Sequence, residues 1–429
     1  MGNKSKEKPN KSKHAQNSKR RFFPSRKPYV IALLIMAVVT IGFFCIMIIA
    51  DILPSDLTVI LSVVAVASLV LTCSLFASRY RWKRIIGIIF AVCFIGVLAF
   101  VTNFMGSTYN MLNRIGSSTA EAVGPVSKGV DVTSTPFNVY ITGIDQWESE
   151  KGLDLERSDV NMIMTINPFT KKVLLTSIPR DTYVKLHTAQ QMDKLTHTGV
   201  YGVDETLNTV EDWLNIDINY YVKMNFTGAK DIINAMDGIS VYSPVAFESS
   251  LKGYKYKKGW NKMGGSKALY FARERHAFEG QDSIRVENQQ RVIKAIIKKM
   301  TSSTTMLTKY GDIMAAAGDN LSTNMSPEEM TELAKMQLTD LSPWDVETQK
   351  IEGEYDMDYV ASLTQSQMFS VYRADPASVS KCTSAISDMM NPTVSEIENA
   401  ERAKSKSFVI NMINSAIQRI KNRNEDTVS

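Results

Sequence analysis

Three apolar stretches near the amino terminus limit most strongly how this chain can fold. They cover residues 29–50, 57–76 and 85–103, and each is close to the ~20 residues that a helix needs to cross a bilayer. The first stretch is long, is followed by two more and contains no small-residue cleavage site, so it does not resemble a cleaved signal peptide. We therefore predict three transmembrane helices within residues 29–105.

The distribution of basic residues predicts the orientation of these helices. Residues 1–28 contain ten Lys or Arg and one acid, about +9, so the remaining residues sum to about −4 of the total +5. The connection SRYRWKR (78–84) is also basic, whereas DILPSD (51–56) has no Lys or Arg. Because basic segments stay in the cytoplasm, we expect a cytoplasmic amino terminus and an extracellular carboxy-terminal part of a multi-pass cell-membrane protein. The basic arm 1–28 lacks hydrophobic patterning and is predicted to be disordered.

The part after the apolar stretches is predicted to be one α/β domain. Residues 106–135, rich in Ser, Thr, Gly and Val, are interpreted as a stalk, residues 136–391 as the catalytic domain and residues 392–429 as a helical tail. The segment DVNMIMTINPFTKKVLLTSIPRD is typical of a β-hairpin, and helical spacing follows in DETLNTVEDWLNI and TGAKDIINAMDG. Strands that alternate with helices favour a central mixed sheet flanked by helices.

The cysteines and histidines exclude two kinds of site. Cys45, Cys73 and Cys93 lie in the apolar stretches, so Cys382 has no intrachain disulfide partner in the extracellular part. The four histidines show no ligand spacing to a cysteine, which gives no indication of a zinc site.

Arginines and aspartates recur at the ends of predicted elements, within otherwise apolar sequence. They are Asp145 in TGID, Arg157 and Asp159 in ERSDV, Arg180 and Asp181 in IPRD, Arg273 and Arg275 in ARERH, and Asp282 and Arg285 in GQDSIR. Guanidinium groups bind phosphate oxygens through a bidentate fork. Carboxylates beside such an anion require a hard cation, and oxygen ligands favour Mg²⁺ or Mn²⁺. The pattern predicts a metal–pyrophosphate site, with Arg273 and Arg275 on one face of an extended segment.

Each piece of this pattern also has a simpler interpretation. ERSDV alone favours a surface ion pair, and Arg273 with Arg275 is equally typical of a charged edge strand. The pattern of DKLTHTGVYG favours exposed loop positions for Lys194 and His197, and that of ENQQR a solvated helix face for Gln289. The apolar stripe that follows is typical of core packing; it consists of Val292, Ile293, Ile296 and Ile297.

Taken together, these motifs resemble the LytR-CpsA-Psr family of cell-wall polymer ligases in Gram-positive bacteria. The matching text, in order, is TGID, ERSDVNMIMTINP, LLTSIPRDTYV, DKLTHTGVYG, DGISVYSPVAF, KALYFARERH and DSIRVENQQRVIKAI. The resemblance extends from about Phe137 to about Asn391. Three spans before the domain are similar to the streptococcal capsule-associated branch, which often has an accessory domain where this chain has only residues 106–135.

The resemblance implies an enzyme, a Mg²⁺-dependent phosphotransferase. Its donor would be a glycopolymer linked through pyrophosphate to a polyprenyl chain, and its acceptor a sugar hydroxyl of peptidoglycan. The polymer would be a capsular polysaccharide or a teichoic-acid-like chain. Transfer of the glycopolymer phosphate would release polyprenyl phosphate at the cell membrane.

The resemblance also implies roles for individual residues. Asp145 and Asp159 would hold Mg²⁺ or Mn²⁺. The residues implied in catalysis are Arg157, Arg180, Arg273, Arg275 and Asp282. The residues implied in phosphate binding are Arg157, Arg180, Lys194, Arg273, Arg275, Arg285 and Gln289. The family usually has a second arginine just before the glutamine, where this chain has Asn288.

Two other functions are compatible with the same residues. The first is a lipid pyrophosphatase that cleaves the donor without transfer. The second is a membrane-bound regulator, such as a transcriptional attenuator. The arm 1–28 shows no helix-turn-helix pattern, and attraction to anionic lipid headgroups explains its charge, so we expect no nucleic-acid partner.

Overall fold

A computed structural model describes most of the chain. The described residues are 27–50, 55–121, 128–144, 158–275, 281–302, 305, 309–318, 320–340, 342–363 and 367–402. Residues 1–26 of the basic arm and the end of the carboxy-terminal tail therefore lie outside the described residues, as do Asp145 and Arg157.

The predicted spans are helices. They are α1 (Lys27–Ala50), α2 (Ser55–Ala77) and α3 (Arg81–Glu121). Each contains a stretch long and apolar enough to cross a membrane: Val30–Ile49, Thr58–Ala77 and Arg81–Asn103. Helix α3 continues to Glu121, so the first part of the predicted stalk is helical. Farther along, Val132 is buried with Phe137 and Val139, so the end of that segment packs into the α/β domain.

The α/β domain is built on a mixed sheet of six strands in the order β11-β6-β1-β2-β3-β12. Strand β1 pairs antiparallel with β2 and parallel with β6, and β3 pairs antiparallel with β2 and parallel with β12. The bounds are β1 (Phe137–Ile144), β2 (Ser158–Asn167), β3 (Lys172–Ile178), β6 (Tyr220–Asn225), β11 (Leu321–Thr323) and β12 (Asp345–Lys350). The predicted mixed sheet and its central hairpin are confirmed.

Helices cover both faces of this sheet because side chains alternate along its strands. On one face Tyr140 and Ile163 pack with residues of α5 (Val203–Leu214) and α11 (Pro376–Met390). On the other face Met162 and Leu175 pack against Ile293 and Ile297 of α8 (Gln281–Met300). The apolar stripe of α8 is therefore core, as predicted. The remaining helices are α4 (Leu195–Thr198), α6 (Phe226–Ala235), α7 (Gly265–Arg273), α9 (Tyr310–Gly318) and α10 (Pro327–Thr339).

Two local features of the sequence define helix ends. Gly238 closes the turn after α6 with φ +86°, and its N–H donates to the Ile233 carbonyl at 2.9 Å. A Cβ on Gly238 would lie 2.6 Å from the Met263 carbonyl oxygen, so the position requires glycine on two counts. Ser326 and Glu329 form a capping box at the start of α10.

Within the described residues, four antiparallel pairs of short strands lie outside the central sheet. They pair β4 (Tyr183–Lys185) with β5 (Met192–Lys194), β7 (Ile239–Ser243) with β10 (Gly259–Met263), β8 (Phe247–Glu248) with β9 (Lys255–Tyr256), and β13 (Gly353–Asp358) with β14 (Phe369–Ala374). Of the predicted helical tail, residues 394–402 are helical and the remainder lies outside the described residues.

Candidate active site

One edge of the central sheet brings together several predicted site residues. The carboxyl ends of β1, β3, β6 and β12 meet there, because β1 is parallel to β6, β3 is parallel to β12, and β2 runs antiparallel between them. The edge at the carboxyl ends of parallel strands is where α/β sheets commonly bind ligands. Asp159 is the second residue of β2 at this edge, and Arg180 lies two residues after the end of β3.

Asp159 is placed there by an irregularity in the sheet. The register of β1 and β2 pairs Gly143 with Val160 and then Ile144 with Ser158, so Asp159 is an extra residue in β2. Such bulges redirect a side chain and recur beside active sites. Ser158 is held by Thr142, whose hydroxyl oxygen lies 2.5 Å from that of Ser158. The carboxylate of Asp159 is consequently presented at the edge, with 21% of its side chain exposed.

Asp159, Arg180, Asp181 and Lys194 form one row of alternating charge. Arg180 Nη1 donates to Asp159 Oδ1 at 2.5 Å, and Arg180 Nε lies 3.4 Å from Asp181 Oδ2. Lys194 Nζ donates to the other Asp181 oxygen at 3.3 Å. Asp181 therefore pairs with both Arg180 and Lys194. The pattern-based interpretation of Lys194 as an exposed loop residue is wrong, since only 14% of its side chain is exposed.

The residue before Lys194 belongs to a buried polar cluster. Asp193 is fully buried, and its Oδ1 lies 2.7 Å from His197 Nδ1. The Ser362 backbone N–H donates to Asp193 Oδ2 at 2.8 Å, and the Ser362 hydroxyl lies 2.8 Å from His197 Nδ1. Burial by itself would raise the pKa of Asp193, but the hydrogen bonds from His197 and Ser362 outweigh it and lower that pKa below its ordinary value of 3.8. His197 is therefore also a buried residue and not part of an exposed loop.

Arg273 and Arg275 are not on an extended segment, contrary to the sequence prediction. Arg273 is the last residue of α7, and only Glu274 after it is extended. The guanidinium of Arg273 lies 4.9 Å from the ring centroid of Phe226, the residue that follows β6 at the same sheet edge. Helix α7 brings it there because α6 and α7 pack closely at Gly265, where a Cβ would collide with the Lys230 carbonyl oxygen.

Glu274, between the two arginines, is a fully buried carboxylate that sequence reasoning did not identify. It accepts hydrogen bonds from the backbone N–H and the hydroxyl of Ser250, at 2.8 and 2.9 Å, and from the Arg275 backbone N–H at 3.1 Å. A buried carboxylate costs free energy unless it is hydrogen-bonded in this way. Glu274 thus determines the backbone conformation from which Arg275 projects.

Helix α8 carries the remaining predicted residues. Asp282 is in its first turn, but its side chain lies outside the described part of the chain. Arg285 is buried, and Gln289 is half-buried instead of fully solvated. Lys350, which ends β12 at the sheet edge, binds Glu287 of α8 at 3.3 Å, so this part of α8 lies beside the same edge.

Asn288 occupies the position where the resemblance led us to expect arginine. It is buried, and its side-chain oxygen accepts a hydrogen bond from Arg291 Nη1 at 2.9 Å. Arg291 also pairs with Glu287 at 2.9 Å. An arginine is therefore present one helical turn later, engaged with its own helix.

The described residues cover the predicted metal site only in part. No group of three or more His, Cys, Asp or Glu side chains converges within them. Of the two predicted ligands, Asp159 lies at the sheet edge, and Asp145 lies outside the described residues. A single protein carboxylate fits the way Mg²⁺ binds in phosphate-transferring sites, where substrate phosphates and water supply further oxygens.

These features define an α/β domain with a cluster of Asp, Arg and Lys side chains at one sheet edge, in a chain with three helices able to cross a membrane. Residues 99–385 match the LytR_cpsA_psr family. The chain belongs to this family, as the motifs indicated.

Named relatives and solved structures agree with the assignment. A Bacillus licheniformis protein named polyisoprenyl-teichoic acid–peptidoglycan teichoic acid transferase TagU is 29% identical over 324 residues, covering 73% of this chain and 98% of the relative. A protein of the same name from Enterococcus faecalis is 33% identical over 59% of this chain and 83% of its own length. The crystal structure of Bacillus subtilis TagV has a TM-score of 0.51 at 28% identity and covers 61% of this chain and 99% of its own. A structure of TagT bound to LIIa-WTA has a TM-score of 0.50 at 27% identity and covers 63% and 98%.

Proposed function

We propose that this protein transfers a glycopolymer phosphate from a polyprenyl-pyrophosphate-linked donor onto peptidoglycan. The observation that carries the proposal is the row Asp159–Arg180–Asp181–Lys194 at the sheet edge of a LytR_cpsA_psr domain. Relatives named as teichoic acid transferases, and a related structure with LIIa-WTA bound, support a lipid-linked polymer as substrate.

The reaction is a phosphoryl transfer in which the protein mainly positions groups and neutralises charge. The acceptor hydroxyl oxygen attacks the phosphorus that bears the glycopolymer, a new P–O bond forms, and the P–O bond to the polyprenyl phosphate breaks. The hydroxyl proton passes to a nearby carboxylate or to water, and polyprenyl phosphate leaves. Arg180, held in orientation by two carboxylates, and Lys194 stabilise the negative charge on the pyrophosphate oxygens.

Arg273 and Arg275 act in this proposal from the α7 side of the same edge. Arg273 is fixed over the Phe226 ring, and Glu274 fixes the backbone before Arg275. A planar guanidinium binds a phosphate through two parallel hydrogen bonds, which a lysine cannot reproduce. Arg157, Arg285, Gln289 and Asp282 complete the proposed set of phosphate-binding and catalytic residues.

We propose Mg²⁺ or Mn²⁺ as the cofactor, held by Asp159 and Asp145. The ion, when bound, would neutralise charge on the phosphate oxygens. Asp159 would in that state contact both the ion and Arg180, which already donates to one of its oxygens. The proposed orientation places the basic arm 1–28 in the cytoplasm and the α/β domain outside, where peptidoglycan is located.

The test is transfer by the full chain in detergent or nanodiscs, with a synthetic polyprenyl-pyrophosphate glycopolymer and peptidoglycan strands. We expect polymer covalently attached to the strands and an equal amount of polyprenyl phosphate. Cleavage of the donor at the same rate without peptidoglycan, with no attached polymer, would identify a pyrophosphatase and contradict the proposal.

A further inference from the structure

A strongly basic hairpin lies beside the arginines at the end of α7. The segment LKGYKYKKGWNK, residues 251–262, contains five lysines and no acidic residue. All five are exposed; they are Lys252, Lys255, Lys257, Lys258 and Lys262. We call this segment the lysine hairpin, since it forms the returning arm of a hairpin in which β9 pairs with β8 and β10 pairs with β7. In the part of the chain that the structure describes, Lys255 pairs with Glu248 at 3.7 Å, and the other four lysines form no ion pair.

This concentration of charge opposes the balance of the domain. Residues 29–429 carry a net charge of about −4, so the lysine hairpin is a local positive region on a chain that is otherwise slightly acidic. Like charges this close in sequence repel one another, and the repulsion is relieved when a polyanion binds across them. The surface therefore favours a negatively charged ligand.

The backbone of the lysine hairpin is held in place before any ligand binds. The buried side chain of Asn261 accepts from the Lys257 N–H at 3.0 Å and donates to the Lys257 and Gly259 carbonyls, at 2.7 and 2.9 Å. Gly259 has φ +96°, a conformation that suits glycine. Lys257 and Lys258 therefore extend from a turn whose shape is fixed by three hydrogen bonds.

Two exposed aromatic rings lie on the outer face of the same strands. Trp260 on β10 is 64% exposed, and Tyr242, opposite it on β7, is 45% exposed. Their ring centroids are 5.6 Å apart in an edge-to-face arrangement. Lys262 is two residues after Trp260, so the two side chains share this face. The negative face of an aromatic ring attracts the C–H groups of a sugar ring, and the lysines attract its charged substituents.

The lysine hairpin is joined directly to the candidate active site. Ser250, in the loop just before it, donates two hydrogen bonds to Glu274. Glu274 is the residue between Arg273 and Arg275. Tyr256 and Phe247 pack on Phe271 of α7, with ring centroids 5.2 and 5.6 Å away. A chain bound at the arginines by its phosphate end thus has the lysine hairpin as a neighbouring surface.

We propose that the lysine hairpin binds the donor glycopolymer chain beyond its pyrophosphate, and that this polymer carries a negative charge on each repeat. The inference rests on the proposed function, which supplies the polymer. Exposed lysines spaced along the segment match charges repeated along a chain, and Trp260 with Tyr242 packs against the sugar rings between those charges. An anionic lipid surface is the other ligand that lysine and tryptophan could bind, but it would not require a connection to the arginine pair.

The proposal is tested by binding, separately from catalysis. The full chain, in nanodiscs of neutral lipid, is titrated into labelled, lipid-free poly(glycerol phosphate). Lys258→Gln with Lys262→Gln should weaken binding on the order of tenfold, since each exposed charge contributes up to ~1 kcal/mol. Trp260→Ala should weaken binding several-fold. The matched control, Lys298→Gln with Lys381→Gln, removes two exposed lysines elsewhere and should bind as wild type does.

Transfer kinetics give the second readout. In the lysine double variant, KM should rise for a donor with many repeats and stay unchanged for a donor with one repeat. Equal binding by the double variant and the control would overturn the proposal. Loss of binding to phosphatidylglycerol vesicles, with polymer binding intact, would instead identify a membrane contact. If polymer binding behaves as expected but no transfer occurs, the proposed function fails and this inference stands.

Discussion

Asp159 and Arg180 face each other across the β2–β3 pair, joined by a hydrogen bond of 2.5 Å. The last register pair of the two strands is Asn161 with Ile178. Asp159 and Arg180 each lie two residues beyond it, so continuing the register places them opposite one another. Strand β3 ends at Ile178 because the next residue, Pro179, lacks the N–H needed to extend the ladder. The register of the sheet thus places a carboxylate proposed to hold a metal beside a guanidinium proposed to bind phosphate.

Replacing Asp159 should abolish most transfer without unfolding the domain. We expect Asp159→Ala to lower the rate ~10²- to 10³-fold, because it removes a proposed metal ligand and the partner of Arg180. Its side chain is partly exposed at the sheet edge, so the melting temperature should change little. Transfer assays over a Mg²⁺ titration, with melting curves, measure both effects. Wild-type rates in this variant would remove Asp159 from the site.

Arg180→Lys tests whether transfer requires the planar guanidinium of Arg180 or only its positive charge. A lysine keeps the positive charge but cannot contact Asp159, Asp181 and a phosphate with the same geometry. Transfer should fall roughly 10²-fold, with most of the loss in kcat. Lys185→Gln changes an exposed charge on the adjacent strand β4 and should leave the rate unaffected. Equal rates in the two variants would show that Arg180 acts only as a distant charge.

Asp193 should make the stability of the domain depend on pH in the acid range. Its pKa is lowered in the folded state, so its contribution is complete above the unfolded value of 3.8 and is lost as pH falls through the folded pKa. Asp193→Asn should cost about 2 kcal/mol at neutral pH, because His197 and Ser362 lose a charged acceptor. The free energy of unfolding of this variant should then fall less steeply below about pH 4.

A control for this effect is available in an exposed pair. His187 Nδ1 lies 2.6 Å from Asp212 Oδ2, with both side chains largely exposed. Asp212→Asn should leave the free energy of unfolding at neutral pH nearly unchanged, because an exposed ion pair contributes little. Denaturant titrations across pH measure both variants. Parallel pH profiles for wild type and Asp193→Asn would show that the buried cluster does not titrate as described.

Much of the fold follows from hydrophobic periodicity, and the parts that do not are instructive. The hairpin β2–β3, the spans and the stripe of α8 were predictable because each is a local pattern of burial. The cluster of Asp193, His197 and Ser362 was not, since Ser362 is 165 positions from His197 and nothing local marks it. The low exposure of the Lys194 side chain, next to this cluster, was missed for the same reason.

The prediction for Arg273 and Arg275 was wrong for a different reason. Two arginines separated by one residue predict a common direction only in an extended segment, and α7 continues through Arg273. The end of that helix depends on tertiary contacts of Glu274 with Ser250, 24 residues away. The residue types therefore indicated the chemistry of the site. The backbone conformation that orients these arginines could be described only from the structure.

The orientation of the chain in the membrane is a separate prediction. Basic segments precede α1 and connect α2 with α3, so the amino terminus should be cytoplasmic and the α/β domain external. Protease added to intact protoplasts should digest residues from Phe137 onward and spare an epitope placed in the arm 1–28. Digestion of the epitope with protection of the domain would reverse the assignment. Lysed protoplasts, in which both regions are accessible, provide the control.

The last prediction separates a phosphate site from a structural role for Arg273 and Arg275. Arg273 lies over Phe226 at the end of α7, and Arg275 follows a backbone fixed by Glu274. If both bind the transferring phosphate, Arg→Lys at either position should reduce transfer at least tenfold with little change in melting temperature. The double Lys variant should lose less than the product of the single effects, because both groups act on one transition state. Glu274→Gln provides the contrast, since it disturbs a buried carboxylate and should lower stability together with activity. Wild-type transfer in both single Lys variants would assign the pair to structure, and the phosphate site would then consist of Arg180, Lys194 and the residues around them.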